Sequence, residues 1–184
     1  IIKKYINFDK DLKIFKNELI NKIKSKKILV IGGAGTIGTN YIKQVLKYKP
    51  AKITVVDINE NGLTELTRDL RSSNLLDYKP EYTTYPVNLL SIIFDKIFKG
   101  ESWDIVANFS AHKHVRSEKD RISVEALIKN NVYGAIKLLQ LCELNMPEHF
   151  FSVSTDKAAN PVNIMGASKS LIEKLILSYK DKFR

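Results

Sequence analysis

A glycine-rich turn between an apolar run and a helical pattern is the feature that most limits what this chain of 184 residues can fold into. The apolar residues 28–31 end at Gly32, and Gly35 and Gly38 follow at intervals of three as a helical pattern over residues 36–47 begins. In dinucleotide-binding folds the first glycine permits a tight turn, and the second lets a pyrophosphate approach the backbone. The third lets the helix pack closely on the sheet, so the spacing predicts a dinucleotide site.

The start of that helix and the end of the next strand complete the predicted cofactor site. Backbone amides at the helix start, at Thr36 and Ile37, would face the phosphates, where the helix dipole also favours negative charge. Asp57 ends the second apolar run 19 residues after Gly38. A carboxylate there can accept hydrogen bonds from both ribose hydroxyls and would repel a 2′-phosphate, which favours NAD over NADP. Nearby Lys or Arg side chains could still accommodate NADP.

Apolar, β-branched runs alternate with helical patterns along the rest of the chain. Strands are predicted at residues 27–31, 52–56, 81–87, 104–109 and 149–154, and helices at 36–47, 61–70, 89–98, 124–145 and 164–179. This alternation predicts the α/β class, a parallel sheet covered on both faces. Right-handed crossovers then give a doubly wound Rossmann sheet of order 3-2-1-4-5. We expect an N-terminal helical arm over residues 1–27 and an NAD(P)-binding domain over residues 28–184.

Two further positions fit a bound dinucleotide. Asn88 ends the third predicted strand, where it would meet the adenine edge. Ser110 and Ala111 end the fourth strand, where small side chains would let the chain pass beneath the cofactor. Each position is equally well explained as an ordinary strand terminus.

Three polar segments should converge at the carboxyl edge of the sheet, where open α/β folds bind their ligands. They are residues 111–115 after the fourth strand, residues 154–157 after the fifth, and residues 163–169 at the start of the last helix. The sequence therefore predicts a chemical site beside the cofactor.

Together with the glycine turn, these segments resemble the polysaccharide-biosynthesis branch of the extended short-chain dehydrogenases, the UDP-N-acetylglucosamine 4,6-dehydratases. The resemblance covers residues 28 to about 177. The matching pieces are Ala111-x-Lys113-His114-Val115, Asn130-Asn131-Val132-x-Gly134, Ser154-Thr155-Asp156-Lys157-Ala158, Asn160-Pro161 and Asn163-x-Met165-Gly166-Ala167-Ser168-Lys169. The Lys-His-Val and Thr-Asp-Lys pieces separate this branch from epimerases.

The resemblance implies a catalytic role for four residues. A 4,6-dehydratase oxidises sugar carbon 4 with NAD(P)+, eliminates water across carbons 5 and 6, and returns the hydride to carbon 6. Lys157 would remove the carbon 5 proton, which oxidation has acidified, and Asp156 would protonate the departing hydroxyl. We expect this pair to tune one another's proton affinity in a desolvated cleft. Thr155 would bond near the carbon 4 oxygen, and Lys169 would hold the nicotinamide ribose.

Met165 occupies the position of the usual tyrosine in the Tyr-x-x-x-Lys pair. A thioether cannot take a proton, but the larger members of the dehydratase branch carry this version. We infer that Asp156, or a water it holds, deprotonates the hydroxyl at carbon 4. A catalytically silent NAD(P)-binding module, or a 4-epimerase or reductase on the same core, are the alternatives.

The resemblance also assigns residues to the substrate and to the framework. Lys113, His114 and Asn160 would bind the nucleotide-sugar, and Asn131 would brace the fourth strand. The histidines do not predict a metal site. His112 and His114 are two residues apart, His149 lies far away, and neither a cysteine nor a carboxylate completes a ligand set.

Composition limits the partners. The formal net charge is +10, but the basic residues are mostly Lys, are spread along the chain and lack interleaved aromatics, so nucleic acid is not an expected partner. No apolar run approaches the roughly 20 residues of a membrane-spanning helix. The single cysteine, Cys142, fits a reducing compartment, and a buried position in a helix. We expect a cytoplasmic protein, at the membrane face if a membrane segment precedes Ile1.

Relatives continue for another hundred or more residues beyond the position of Arg184. The C-terminal substrate domain is therefore expected to be missing from this sequence, and the 184 residues alone should turn over weakly or not at all. A homo-oligomer is a family-level expectation, with residues 124–145 and 164–179 as the candidate interface helices.

Overall fold

The computed structural model describes residues 8–112, 119–180 and 182. Its strands are β1 Lys27–Ile31, β2 Lys52–Asp57, β3 Glu81–Pro86, β4 Ile105–Asn108 and β5 His149–Ser152. Its α-helices are α1 Phe8–Ile14, α2 Lys16–Ile23, α3 Thr36–Leu46, α4 Glu60–Ser72, α5 Ile92–Lys99, α6 Arg121–Ile128, α7 Gly134–Leu144 and α8 Ile164–Tyr179. Each predicted strand and helix is present, and most bounds agree within three residues.

The five strands form one parallel sheet in the order β3-β2-β1-β4-β5. In the central register Ile28 pairs with Ile53 of β2 on one side and with Ile105 of β4 on the other. The chain leaves β1 towards β2 and later returns to β4 on the opposite side, so the strand order reverses between β1 and β4. The predicted doubly wound Rossmann fold is confirmed, and its switch point is where such sheets bind ligands.

Both faces of the sheet are covered because alternate residues of a strand point to opposite sides. Ile28 and Val30 belong to one buried cluster, which includes side chains of α3 and α4. Leu29 and Ile31 belong to the other, which includes Phe94 and side chains of α5 and α7. A strand that is apolar on both faces must be central in the sheet, as β1 is.

The predicted long helix over residues 124–145 is present but is interrupted. A π-helical turn, Lys129–Tyr133, separates α6 from α7. Buried Asn131 lies in this turn and bonds to neighbouring segments, which explains why an uninterrupted α-helix does not form. Cys142 in α7 is fully buried, as expected, and burial raises the pKa of its thiol to about 12.

Within the part of the chain that the structure describes, no helix is both long and apolar enough to cross a membrane.

Candidate active site

The glycine turn brings the ends of β1 and β4 into close contact. Gly32 has φ of +74°, a left-handed conformation that strains other residues. A Cβ atom there would lie 2.5 Å from the backbone nitrogen of Ser110, just beyond β4. The turn therefore requires glycine for its backbone angle and also for the space at the switch point.

The other two glycines of the motif behave differently. A Cβ at Gly38 would lie 2.6 Å from the carbonyl oxygen of Gly32, so α3 packs against the turn as predicted. A Cβ at Gly35 would meet only that same oxygen, at an ordinary 3.5 Å. The position is thus not filled by the protein's own packing, as an approaching diphosphate requires.

A cleft of about 220 Å³ opens at this switch point. Six of the predicted cofactor residues line it: Gly32, Gly35, Asp57, Asn88, Ser110 and Ala111. Thr36, Ile37 and Gly38 lie in the first turn of α3, directly behind the glycine loop, and do not line the cleft.

Sequence reasoning missed several residues of the cleft wall. Ile58, Val87 and Leu89 add an apolar surface beside Asp57 and Asn88. Ile58 is 69% exposed, and its position directly after Asp57 could have indicated it. Such a surface suits the flat face of a purine ring.

Asp57 fixes the glycine loop as well as offering a charge to the cleft. One carboxylate oxygen accepts the N–H of Ala34 at 3.0 Å, and the other accepts the N–H of Asn59 at 3.0 Å. Each oxygen of a carboxylate can accept a second bond. The side chain is therefore held in place and still has acceptor capacity for the two hydroxyls of a ribose.

Asn88 and Ser110 are each held by local bonds. The amide oxygen of Asn88 accepts the N–H of Leu90 at 2.7 Å, so the amide nitrogen is the group with which it could contact a ligand. Ser110 donates to Asn108, from its hydroxyl at 2.7 Å and from its backbone at 3.1 Å. Asn108 is buried at the end of β4 and also donates to Ser152 of β5, a role that the sequence did not reveal.

Thr155, Asp156 and Lys157 follow β5 and form a local bonded group. The Thr155 hydroxyl and the Lys157 backbone N–H both donate to one oxygen of Asp156, at 2.9 and 3.0 Å. The Lys157 ammonium lies 3.7 Å from that oxygen. The bond from Thr155 and the charge of Lys157 lower the pKa of Asp156, which favours the carboxylate.

The residues that the structure describes do not by themselves form the desolvated cleft expected around this pair. The side chains of Asp156 and Lys157 are 89% and 50% exposed, so they do not sit in a desolvated cleft. The two residues follow β5, which lies at the edge of the sheet, and no segment that the structure describes covers them. Neither residue lines the cleft at the switch point.

Lys169 is buried in α8, and its amine donates to the carbonyl oxygen of Val153 at 3.0 Å. Burial lowers its pKa, an effect that the charge of Glu173 partly offsets. One turn further along α8, Glu173 accepts the hydroxyl of Ser154 at 2.5 Å. Two α8 side chains thus hold the two residues that precede Thr155, a contact of Glu173 that sequence reasoning missed.

The remaining predicted residues are less informative. Asn160 is exposed in the loop before α8, and Met165, at the usual tyrosine position, is buried. Lys113 and His114 lie outside the described residues. Among the residues that are described, no cluster of three or more His, Cys, Asp or Glu is placed to hold a metal ion.

The sheet order, the glycine turn and the acidic residue at the end of β2 define an NAD(P)-binding Rossmann fold of the extended short-chain dehydrogenase group. The chain belongs to the family described as polysaccharide biosynthesis protein, which matches residues 28–184. The resemblance predicted from the sequence motifs is confirmed.

Known proteins are similar to this chain over only part of their own length. The chain is 36% identical over 169 residues to an uncharacterized membrane protein of Methanocaldococcus jannaschii, covering 90% of this chain and 47% of that one. It is 32% identical over 154 residues to an inverting UDP-N-acetylglucosamine 4,6-dehydratase of Campylobacter jejuni, covering 83% and 43%. The Bordetella bronchiseptica enzyme WbmF, solved in complex with NAD+, superposes with a TM-score of 0.68 at 16% identity, covering 87% and 47%. The chain thus spans less than half the length of each of these three proteins.

Proposed function

We propose that this chain is the cofactor-binding half of a nucleotide-sugar 4,6-dehydratase that acts on UDP-N-acetylglucosamine or a similar sugar. The observation that carries the proposal is the bonded group Thr155-Asp156-Lys157. It follows β5, at the carboxyl ends of the strands, where the glycine cleft also opens. The proposal is also supported by membership of the polysaccharide biosynthesis family and by the similarity to a 4,6-dehydratase.

The described residues fit an NAD(P) cofactor. Gly35 leaves room beside the α3 N-terminus for a diphosphate, and Asp57 presents a fixed carboxylate. The bonds that fix Asp57 leave one acceptor site on each oxygen, which matches the two hydroxyls of an unphosphorylated ribose and favours NAD over NADP. When bound, the oxidised cofactor accepts a hydride from sugar carbon 4, and the reduced form returns it to carbon 6.

Asp156 is suited to take the proton of the carbon 4 hydroxyl. An aspartate is ionised near neutral pH, as a proton acceptor must be. Once it has accepted that proton, Asp156 is a carboxylic acid. It can then give the same proton to the hydroxyl that leaves carbon 6, so one residue serves both steps.

Lys157 is suited to the intervening step. The carbon 4 ketone acidifies the proton on carbon 5, so a neutral amine within reach can remove it. The resulting ammonium would return a proton to carbon 5 when hydride is added at carbon 6. Removal from water favours the neutral form of an amine. In the described chain Lys157 is half-exposed. We therefore assign its desolvation to the bound sugar and to the portion of the relatives that this chain does not span.

The product of the full-length protein tests the proposal. We expect UDP-N-acetylglucosamine to give a 4-keto-6-deoxy sugar, seen by NMR as a new methyl group. A changed configuration at carbon 4 with the carbon 6 hydroxyl intact would instead show a 4-epimerase. NAD binding without any change of the sugar would show a silent module.

A further inference from the structure

An apolar stripe runs along α1 and α2. Phe8, Leu12 and Phe15 are 72%, 37% and 54% exposed, and Leu19 continues the same line. The helical bonds pass through the junction of the two helices, because Phe15 N–H donates to Asp11 and Leu19 N–H donates to Phe15. The stripe is therefore one surface of an almost continuous helical arm.

The two halves of this arm have different surroundings. Leu19 and Ile23 pack against the buried cluster on one face of the sheet. Phe8, Leu12 and Phe15 line an open, mainly apolar groove, which no other described segment covers. Leu19 also reaches this groove, as do the charged Asp11, Glu18 and Lys22. Exposed aromatic side chains that line one apolar groove mark an interaction surface, so this half of the stripe is suited to a partner.

The spacing of the stripe indicates what kind of partner. Its members Phe8, Leu12, Phe15 and Leu19 are separated by four, three and four residues. In the sequence the same alternation extends back to Tyr5 and Ile1. A period of 3.5 residues is that of the a and d positions of a coiled coil, whereas a helix lying on a globular core usually has a broader apolar face.

We propose that this arm pairs with the arm of a second copy of the chain as a short parallel coiled coil. Leu12 and Leu19 occupy a positions, and Phe8 and Phe15 occupy d positions. Asp11 then falls at a g position and Lys16 at the following e position, five residues later. In a parallel dimer these positions face each other, so Asp11 would pair with Lys16 of the partner subunit.

The charges beside the stripe favour this occupant. An antiparallel pair would bring the g positions together, and both Asp11 and Glu18 are acidic. A membrane surface is also a poorer fit, because Asp11 and Glu18 line the groove beside a single lysine, Lys22, and anionic lipid would repel the two carboxylates. The proposal is independent of the catalytic assignment above.

Disulfide cross-linking in the full-length protein tests the pairing. A Leu12→Cys variant places two thiols at facing a positions, so mild oxidation should give a covalent dimer. Asn17→Cys is the matched control, since Asn17 is exposed at the outermost f position and should cross-link far less. The native Cys142 is buried and should not react. Equal cross-linking of the two variants would overturn the proposal.

Charge reversal tests the parallel register. In the Leu12→Cys background, Lys16→Glu replaces two attractive pairs by two repulsive ones, and the cross-linking rate should fall by about tenfold at low salt. Adding Asp11→Lys restores opposite charges and should restore the rate. Absence of rescue would contradict a parallel pair. A membrane would be the partner instead if two results came together. The Leu12→Cys variant would cross-link no faster than Asn17→Cys, and the parent protein would bind liposomes that the double variant Phe8→Ser, Phe15→Ser does not bind.

Discussion

Asn131 holds both polar groups of the His112 backbone: its amide oxygen accepts the His112 N–H at 2.8 Å, and its amide nitrogen donates to the His112 carbonyl at 3.1 Å. The same nitrogen donates to the hydroxyl of Ser168, at 3.1 Å. His112 lines the cleft and Ser168 precedes Lys169 in α8. One buried side chain therefore connects the cleft wall to the helix that carries the site lysine, from the π-helical turn that brings it inward.

Replacing Asn131 by Ala should destabilise the fold markedly. The change removes the partner of both His112 backbone groups and one of the two bonds of the Ser168 hydroxyl, which still donates to Met165, at a cost of about 2 to 4 kcal/mol. Urea unfolding measures the free energy of unfolding. The control Asn61→Ala removes an exposed amide at the start of α4 and should change that energy by less than about 0.5 kcal/mol.

Changing Gly32 to Ala should lower the stability of the fold, whereas changing Gly35 to Ala should change it little. At Gly32 the methyl group meets the backbone of Ser110 at 2.5 Å in a left-handed conformation, so we expect a loss of at least about 2 kcal/mol of stability. At Gly35 the methyl has room and φ is −74°, so stability should stay within about 1 kcal/mol.

The Gly35→Ala change, which should hardly affect stability, should instead weaken the binding of NAD. Gly35→Ala places a methyl group where the diphosphate must approach, so the folded variant should bind NAD at least about tenfold more weakly, measured by isothermal titration calorimetry. A Gly35→Ala chain that is stable and binds NAD normally would show that the diphosphate lies elsewhere.

The sequence was sufficient for the fold because its signals are local. The apolar run 28–31, the glycine spacing and the polar residue after each strand all depend on neighbours in the chain, and each lies where it was expected. The helix over residues 124–145 shows the limit. Its π-helical turn depends on bonds from Asn131 to residues 19 and 37 positions away, which periodicity cannot reveal.

The site was less predictable for the same physical reason. Exposure depends on what covers a residue, so the motif Thr155-Asp156-Lys157 could suggest chemistry but not the 89% exposure of Asp156. The bond between Ser154 and Glu173 joins two segments across the loop before α8. The sequence gives no sign that the Glu173 carboxylate, one turn after Lys169, accepts a bond from Ser154 just after β5.

Changing Asp57 to Asn should shift cofactor preference. The amide keeps one acceptor oxygen, so one of the two bonds to the backbone is lost, at about 1 kcal/mol of stability. The loss of negative charge removes the repulsion of a 2′-phosphate. We expect the ratio of NAD to NADP affinity, measured by calorimetry, to fall by about tenfold. An unchanged ratio would remove Asp57 from the ribose site.

Glu101 should make stability depend on acid pH. Hydrogen bonds from Lys27 at 2.7 Å and Lys52 at 2.8 Å lower its pKa from 4.5 to about 2. The native state therefore holds the proton less tightly than the unfolded chain, so the stabilisation is complete above pH 4.5 and disappears as the pH falls through about 2. Glu101 is 25% exposed, and solvent screening reduces the contribution to about 1 to 2 kcal/mol.

The difference in unfolding free energy between the parent chain and Glu101→Gln isolates this effect. It should shrink as the pH is lowered from 5 towards 2. The control Glu65→Gln changes a carboxylate that is 73% exposed and pairs with the equally exposed Arg68, so its difference should be small and nearly independent of pH. A constant difference for Glu101→Gln would show that its two lysine bonds do not persist in solution.

Changing Asp156 to Asn should stop the proposed reaction at its first step. The amide oxygen can still accept the bonds from Thr155 and from the Lys157 backbone, so the loop is expected to keep its shape. The amide cannot take a proton, and removal of a catalytic base costs about 100-fold or more in rate. In a single turnover of the full-length protein, the rate at which bound NADH forms transiently, followed by absorbance, should therefore fall by that factor. The control Asp77→Asn changes an exposed carboxylate that is far from Asp156 in the sequence, and it should leave the rate unchanged. If NADH still forms at the parent rate while the 4-keto-6-deoxy product is lost, Asp156 serves only as the acid at carbon 6, and another group takes the proton at carbon 4.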